Sequence, residues 1–168
     1  LGQKEDMQAV FNLITELAII EKEPEAVATT VDDLVIDGFS ETPKFKVYVA
    51  EQGNNIIGIA LFYERFSTWK GRTIHLEDLI VKESKRGLGI GKALYTEVMH
   101  FANLKGVKRV EFVVLDWNTT AVGFYKSTGA TLLKDRYLVQ MNEQGLRAYL
   151  KKEIRNRKIN YLDIRLRG

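Results

Sequence analysis

Thr73-Ile74-His75-Leu76-Glu77-Asp78-Leu79-Ile80-Val81-Lys82-Glu83-Ser84-Lys85-Arg86-Gly87-Leu88-Gly89-Ile90-Gly91-Lys92 is the stretch on which the fold turns. Its first nine residues read as a strand that runs straight into a glycine-rich turn, and the turn opens a helix. Three glycines at alternate positions weaken a helix start unless close backbone approach is needed. Glycine permits tight backbone angles and lets N–H groups approach an anion without a Cβ in the way. Strand, glycine loop and helix amino terminus together make a cradle for phosphate, with Lys85 and Arg86 adding positive charge at the rim. A dinucleotide fingerprint would need glycine where Lys92 stands, and Gly91-Lys92-Ala93 lacks the hydroxyl of a P-loop. What remains is Arg-x-x-Gly-x-Gly, from Arg86 to Gly91.

Outward from the turn, Ile90, Leu94, Val98 and Phe101 line one face of a helix that closes around Gly106, and Val110–Leu115 is dense in strand formers. This is a strand-helix-strand unit. Asp116-Trp117-Asn118 is a polar break before a helix from about Thr119 to Lys126 that Gly129 ends, and Tyr137–Met141 reads as a last strand. On the amino side, Met7, Val10, Phe11, Ile14, Leu17 and Ala18 follow helical spacing ahead of Pro24. A short helix is expected from Val31 to Asp37, capped by Thr30 and ended by Gly38. Phe45–Val49 and Ile56–Tyr63 flank the turn Gln52-Gly53-Asn54-Asn55 as a hairpin, and Thr68–Gly71 is the loop before the decisive strand. The order predicts a mixed α/β sheet with helices on both faces, in one domain over residues 1–168. Within a basic tail at 153–168, Lys158–Leu166 reads as an added strand that pairs with this chain's sheet or a partner's, or else as a disordered tail.

Apolar residues make up 45% of the chain and charged residues 28%, an ordinary globular composition. No apolar run approaches the roughly 18 residues of a membrane span and no signal-peptide layout opens the sequence, so a soluble, cytoplasmic protein is expected. The absence of cysteine removes disulfides, thiolate metal sites and an acyl-cysteine intermediate. With only His75 and His100, no metal site is expected. The net charge is +3, much of it near the carboxyl end, and no aromatic interleaving accompanies it, so no nucleic-acid partner is expected.

The turn and its neighbours resemble the GNAT acetyltransferase superfamily. Leu76-Glu77-Asp78-Leu79-Ile80-Val81, Arg86–Gly91, Asp116-Trp117-Asn118 and Phe124-Tyr125-Lys126-Ser127-Thr128-Gly129-Ala130 look like its diamine (spermidine/spermine) branch, as do Glu16-Leu17-Ala18 with Glu21, Asp37-Gly38-Phe39 and Trp69-Lys70-Gly71. The likeness spans roughly residues 10 to 150. It implies a mostly antiparallel twisted sheet around a central acetyl-CoA cradle, and a homodimer. It implies that Leu79-Ile80-Val81 meets acetyl and pantetheine, through backbone groups of Leu79 and Val81. Arg86, Gly87, Leu88, Gly89, Ile90, Gly91 and Lys92 would wrap the pyrophosphate. Asn118 would bond the pantetheine arm, Tyr125 would lie near the sulfur, and Glu21, Trp69, Glu77 and Asp78 would face the amine. The branch tends to have an aromatic residue where this chain has Ile20.

An alkyl amine with a pKa near ~10.4 is protonated at neutral pH and must lose a proton before it attacks a thioester. Glu77 is the candidate base, directly or through water, with Asp78 or Glu21 holding a second cationic nitrogen. On a regular strand Glu77 and Asp78 point to opposite faces, so both line one pocket only if a bulge or bend intervenes. Tyr125 is the candidate acid for the departing thiolate, although by residue type alone it reads as a core aromatic. Direct attack in a ternary complex is the expected mechanism, on a small-molecule primary amine. The alternatives are acetylation of a protein or peptide amine, and a non-catalytic module that senses CoA or a nucleotide.

Overall fold

The computed structural model describes residues 1–155, so the strand expected within Lys158–Leu166 lies outside the described residues. The chain forms two compact units, Leu1–Val122 and Gly123 onward. In the first, α1 (Met7–Ile20) and α2 (Val31–Phe39) precede β1 (Lys46–Gln52), β2 (Asn55–Ser67) and β3 (Gly71–Val81). Then come α3 (Ile90–Leu104), β4 (Val110–Glu111) and the start of α4 (Thr119–Ser127). The sheet order is β1-β2-β3-β4, antiparallel at the first two joins and parallel at the third. Helices cover both faces, as expected.

Each face has its own helix stripe. Met7, Val10 and Leu13, spaced by three, bury against Val47, Ile59, Leu61 and Ile80. On the opposite face Phe62 stacks on Tyr48 at 5.2 Å and meets Phe101 of α3 edge-on at 5.1 Å. With both faces covered, Ile56–Phe62 is buried without a break, Gly58 included. A Cβ on Gly58 would sit 3.0 Å from the Ile80 carbonyl and 3.2 Å from Leu94, so glycine lets α3 lie close over the carboxyl end of β3. The Thr30 hydroxyl accepts from Asp33 N–H at 3.2 Å while Asp33 Oδ2 accepts from Thr30 N–H at 2.9 Å, a reciprocal cap on α2.

Three local expectations are corrected. Gly38 lies inside α2 rather than ending it: a Cβ there would fall 2.8 Å from the Phe45 ring, so its smallness serves packing. Only Val110–Glu111 of the expected strand Val110–Leu115 pairs, with Ile74 and His75 of β3. Tyr137–Met141 is not a strand; Tyr137 is 96% and Val139 87% exposed, and strand-forming residues make no ladder without a neighbouring strand. The second unit instead contains α5 (Glu143–Arg155), unforeseen although its signals are local. Asn142 Oδ1 caps it through Gly145 N–H at 2.8 Å, and Glu143 pairs with Arg147 one turn on. Residues 153–155 of the basic tail are its last turn.

Candidate active site

The β2–β3 register slips by one residue at the critical place. Leu61 opposes Asp78 while Phe62 opposes Leu76, which leaves Glu77 as the extra residue of a β-bulge. Leu61 belongs to the α1-facing core, so Asp78 opposite it faces α1. Tyr63, two residues on, keeps that face, and its hydroxyl donates to Glu77 Oε2 at 2.8 Å. Both carboxylates therefore stand on the α1 face, the arrangement a regular strand forbids.

Glu21 joins them from α1. The helix ends in a Schellman arrangement in which Lys22 N–H donates to Ile19 O at 3.1 Å and Glu23 N–H to Ala18 O at 2.9 Å. Lys22 takes the left-handed conformation, at φ 66°, that glycine usually occupies there. It holds its ammonium 4.9 Å from the Trp117 ring centre. Burial raises the pKa of Glu21. Asp78 is pushed up to about 7, first by burial and then by the charges of Glu77 and Glu21. The cluster is a partly desolvated acidic site with Glu77 half-exposed beside it. A cation placed there would relieve both the burial and the mutual repulsion.

Hydrogen-bond parity settles which backbone groups of β3 are open. Lys82 N–H donates to Ile57 O at 2.9 Å, so the bonded pairs of this register are 57/82, 59/80 and 61/78. Leu79 and Val81 belong to the alternate pairs, and their N–H and C=O groups point away from β2. On that side β4 pairs only with Ile74 and His75, and among the described residues no strand lies against Leu76–Val81. The Val81 carbonyl is taken by Arg86 Nε at 3.0 Å, which leaves Val81 N–H and both groups of Leu79. Ile80 is turned the other way: its backbone bonds to β2 and its side chain is 4% exposed in the α1-facing core.

The glycine turn follows a short 3-10 segment at Glu83–Lys85. Gly87 at φ 77° and Gly89 at φ 80° need the left-handed region, and open space lies where their Cβ atoms would be. Gly89 is the N-cap of α3. From Gly87 to Lys92 no backbone N–H finds a partner among the described residues, the first satisfied donor being Ala93 N–H to Gly89 O at 3.0 Å. Six consecutive donors at the positive end of a 15-residue helix are suited to an anion. Arg86 braces the turn, with Nη2 3.6 Å from Glu16 Oε1 on α1.

Asn118 Oδ1 caps α4 through Ala121 N–H at 3.1 Å, which fixes the side chain and leaves its amide as donor. Tyr125, on the part of α4 in the second unit, is 8% exposed, and its carbonyl accepts from Thr128 N–H at 3.0 Å. Trp69 is 83% exposed at the tip of the β2–β3 hairpin. That is about 20 Å along the ladder from Glu77 at ~3.3 Å per residue, so this chain does not bring the two together. Sequence reasoning missed Tyr63, His75 and Arg65 as neighbours of Glu77. Counting outward from the hairpin, with Ser67 opposite Gly71, places Tyr63 opposite His75.

The family model described as acetyltransferase (GNAT) matches residues 7–130. The chain is 41% identical over 133 residues to thialysine N-epsilon-acetyltransferase of Bos taurus, which covers 74% of this chain and 78% of that protein. It is 30% identical over 151 residues to spermidine/spermine N(1)-acetyltransferase-like protein 1 of Homo sapiens, covering 84% of this chain and 22% of that one. Among solved structures, an integron cassette protein from the mobile metagenome of V. cholerae superposes with a TM-score of 0.73 at 26% identity, covering 89% of this chain and 94% of that one.

Proposed function

The chain belongs to the acetyltransferase (GNAT) family and is an acetyl-CoA-dependent N-acetyltransferase; from that premise we propose that its acceptor is a small amine carrying a second positive charge, a diamine or a lysine-like amino acid. The observation that carries this is the convergence of Glu21, Glu77 and Asp78, with Asp78 pushed up to about 7 by burial and by its two acidic neighbours. An isolated monoamine gives such a site one charge where it has places for two.

Acetyl-CoA, when bound, supplies the thioester carbon that the amine attacks and the thiolate that leaves. Leu79 N–H and C=O with Val81 N–H would pair with the amides of its pantetheine arm, as an added strand pairs with a sheet edge. The six open N–H groups from Gly87 to Lys92 would receive the pyrophosphate, and the Asn118 amide would donate to the arm. Glu77 would take the proton from the reacting ammonium, while Asp78 and Glu21 hold the second cation. Tyr125 would give its proton to the sulfur. Trp69 contributes to amine recognition in this reading only from a surface other than this chain's carboxylate cluster. With this function we propose a homodimer working in the cytoplasm.

The test is thiol release from acetyl-CoA with a panel of thialysine, lysine, ornithine, spermidine, a monoamine of equal length and a lysine-containing peptide. Turnover with a lower KM for the doubly charged amines than for the monoamine is expected. Turnover restricted to the peptide, or tight acetyl-CoA binding with no turnover on any amine, would overturn the proposal.

A further inference from the structure

Glu77 has two carboxylate oxygens, and its surroundings treat them differently. Oε2 accepts from the Tyr63 hydroxyl at 2.8 Å and lies 3.4 Å from His75 Nε2. Arg65 Nη1 is 3.0 Å from His75 Nδ1. A guanidinium can only donate, so Nδ1 is the acceptor and the ring proton sits on Nε2, facing Glu77. Burial lowers the His75 pKa, which keeps the ring in this neutral form. Arg65 is itself fixed by Glu111 Oε1 at 2.9 Å, whose other oxygen is 2.9 Å from Arg109 Nε. Tyr63 and His75 oppose one another in the ladder, with ring centres 5.3 Å apart and the rings tilted by 32°, so each ring packs against the other. Burial and the adjacent Glu77 push the Tyr63 phenol up to about 12, which leaves it a donor at any working pH. No donor reaches Glu77 Oε1 among the described residues.

We propose that Tyr63 and His75 are positioning residues for the transfer, which hold Glu77 by Oε2 and so make Oε1 the atom that takes the substrate's ammonium proton. The proposal rests on Glu77 as the base. A bulge residue has no ladder partner to fix its side chain, and a half-exposed glutamate would otherwise sample several rotamers. The Tyr63 hydrogen bond, with the His75 ring N–H facing the same oxygen from 3.4 Å, replaces that freedom with one orientation. One proton moves from the ammonium nitrogen to Oε1 before the N–C bond forms, and Glu77 returns it to water after turnover; as the C–S bond breaks, sulfur takes the Tyr125 proton and the second proton shed by the nitrogen replaces it. The charged and titratable groups around the pair are Arg65 on β2, Asp78 on β3, Glu21 on α1, and Glu111 with Arg109 at β4.

The experiment is steady-state kinetics with acetyl-CoA and thialysine on Tyr63→Phe, His75→Gln and His75→Leu, each also made in a Glu77→Gln background. Tyr63→Phe and His75→Leu are expected to lower kcat about tenfold with the KM for acetyl-CoA unchanged. His75→Gln, whose amide N–H can stand in for Nε2–H, retains most of kcat. In the Glu77→Gln background none of the three adds a further loss. Wild-type kcat in Tyr63→Phe, or losses that multiply in full with Glu77→Gln, would overturn the proposal. Wild-type kcat in Glu77→Gln alone removes the base assignment and this proposal together, whereas a slow Glu77→Gln beside a normal Tyr63→Phe removes only the positioning role. Tyr63→Phe deletes one oxygen and keeps the ring contact with His75, and thermal unfolding checks each variant. If His75→Leu fails to fold, Tyr63→Phe and His75→Gln still decide.

Discussion

Replacing Asp78 with asparagine should make the protein more stable and a poorer enzyme, and the size of the first effect should depend on pH. The carboxyl of Asp78 is moved from its ordinary 3.8 to about 7 by burial and by the charges of Glu77 and Glu21. A raised folded-state pKa means that the native chain binds the proton more tightly than the unfolded chain does. The stability this contributes is fully present below about pH 4 and is lost as the pH rises through about 7. Roughly three units at ~1.4 kcal/mol each give a ceiling of about 4 kcal/mol, of which only about 1 is already lost near pH 4.5. Asparagine carries no charge and avoids this loss. The gap between Asp78→Asn and wild type should therefore widen by up to about 3 kcal/mol between about pH 4.5 and pH 8, or ~6–12 °C in Tm for a domain of this size. Thermal unfolding followed by circular dichroism, without substrates, measures it. The same variant should raise the KM for a diamine about tenfold or more while sparing acetyl-CoA binding. A Tm difference that is the same at both pH values would refute the reasoning, because it would mean that the native and unfolded states hold the Asp78 proton alike.

The glycine turn offers a contrast between two similar changes. Gly89→Ala forces a side chain into the left-handed region and should cost about 1–2 kcal/mol and weaken acetyl-CoA binding. Gly91→Ala meets only an ordinary 3.6 Å contact with Val81 in helical backbone, so it should leave stability unchanged or raise it by ~0.5–1 kcal/mol; a loss of acetyl-CoA affinity there reports the ligand alone, by calorimetry. Tyr125→Phe should lower kcat by roughly 10²-fold with acetyl-CoA binding intact, and an unchanged rate would remove it from the acid role. Thr30→Ala breaks the reciprocal cap with Asp33 and should cost about 1 kcal/mol, a Tm drop of ~2–4 °C, with no change in kcat.

Elements with a strong local signature are legible in the sequence. The helical spacing of Met7, Val10, Phe11, Ile14, Leu17 and Ala18, the Thr30 cap, the Gly53-Asn54 turn and the strand running into Arg86–Gly91 each depend on neighbours in the chain, and each is found where the pattern put it. The positive backbone angles at Gly87 and Gly89 are of the same kind, because only the residue itself decides whether such an angle is accessible. Failures occur where a neighbour distant in sequence decides. Phe112, Val113 and Val114 are strand formers by type, but the pairing with β3 stops at Glu111, and propensity does not set where two strands part. Tyr137–Met141 has strand formers and no neighbouring strand among the described residues, while α5 passed unnoticed although Asn142 and the Glu143–Arg147 pair announced it.

By itself the sequence determined the periodicities, the caps and the glycine turn, and with them the sheet's strand-helix-strand centre and the residue types available for chemistry. Packing between elements makes Glu77 the extra residue of a bulge, brings Asp78 and Glu21 to it on the α1 face and, among the described residues, leaves no strand beside Leu79 and Val81 on β3. The physical reason is that side-chain alternation is a property of one strand, whereas register, bulges and the parting of two strands come from packing between elements far apart in the chain.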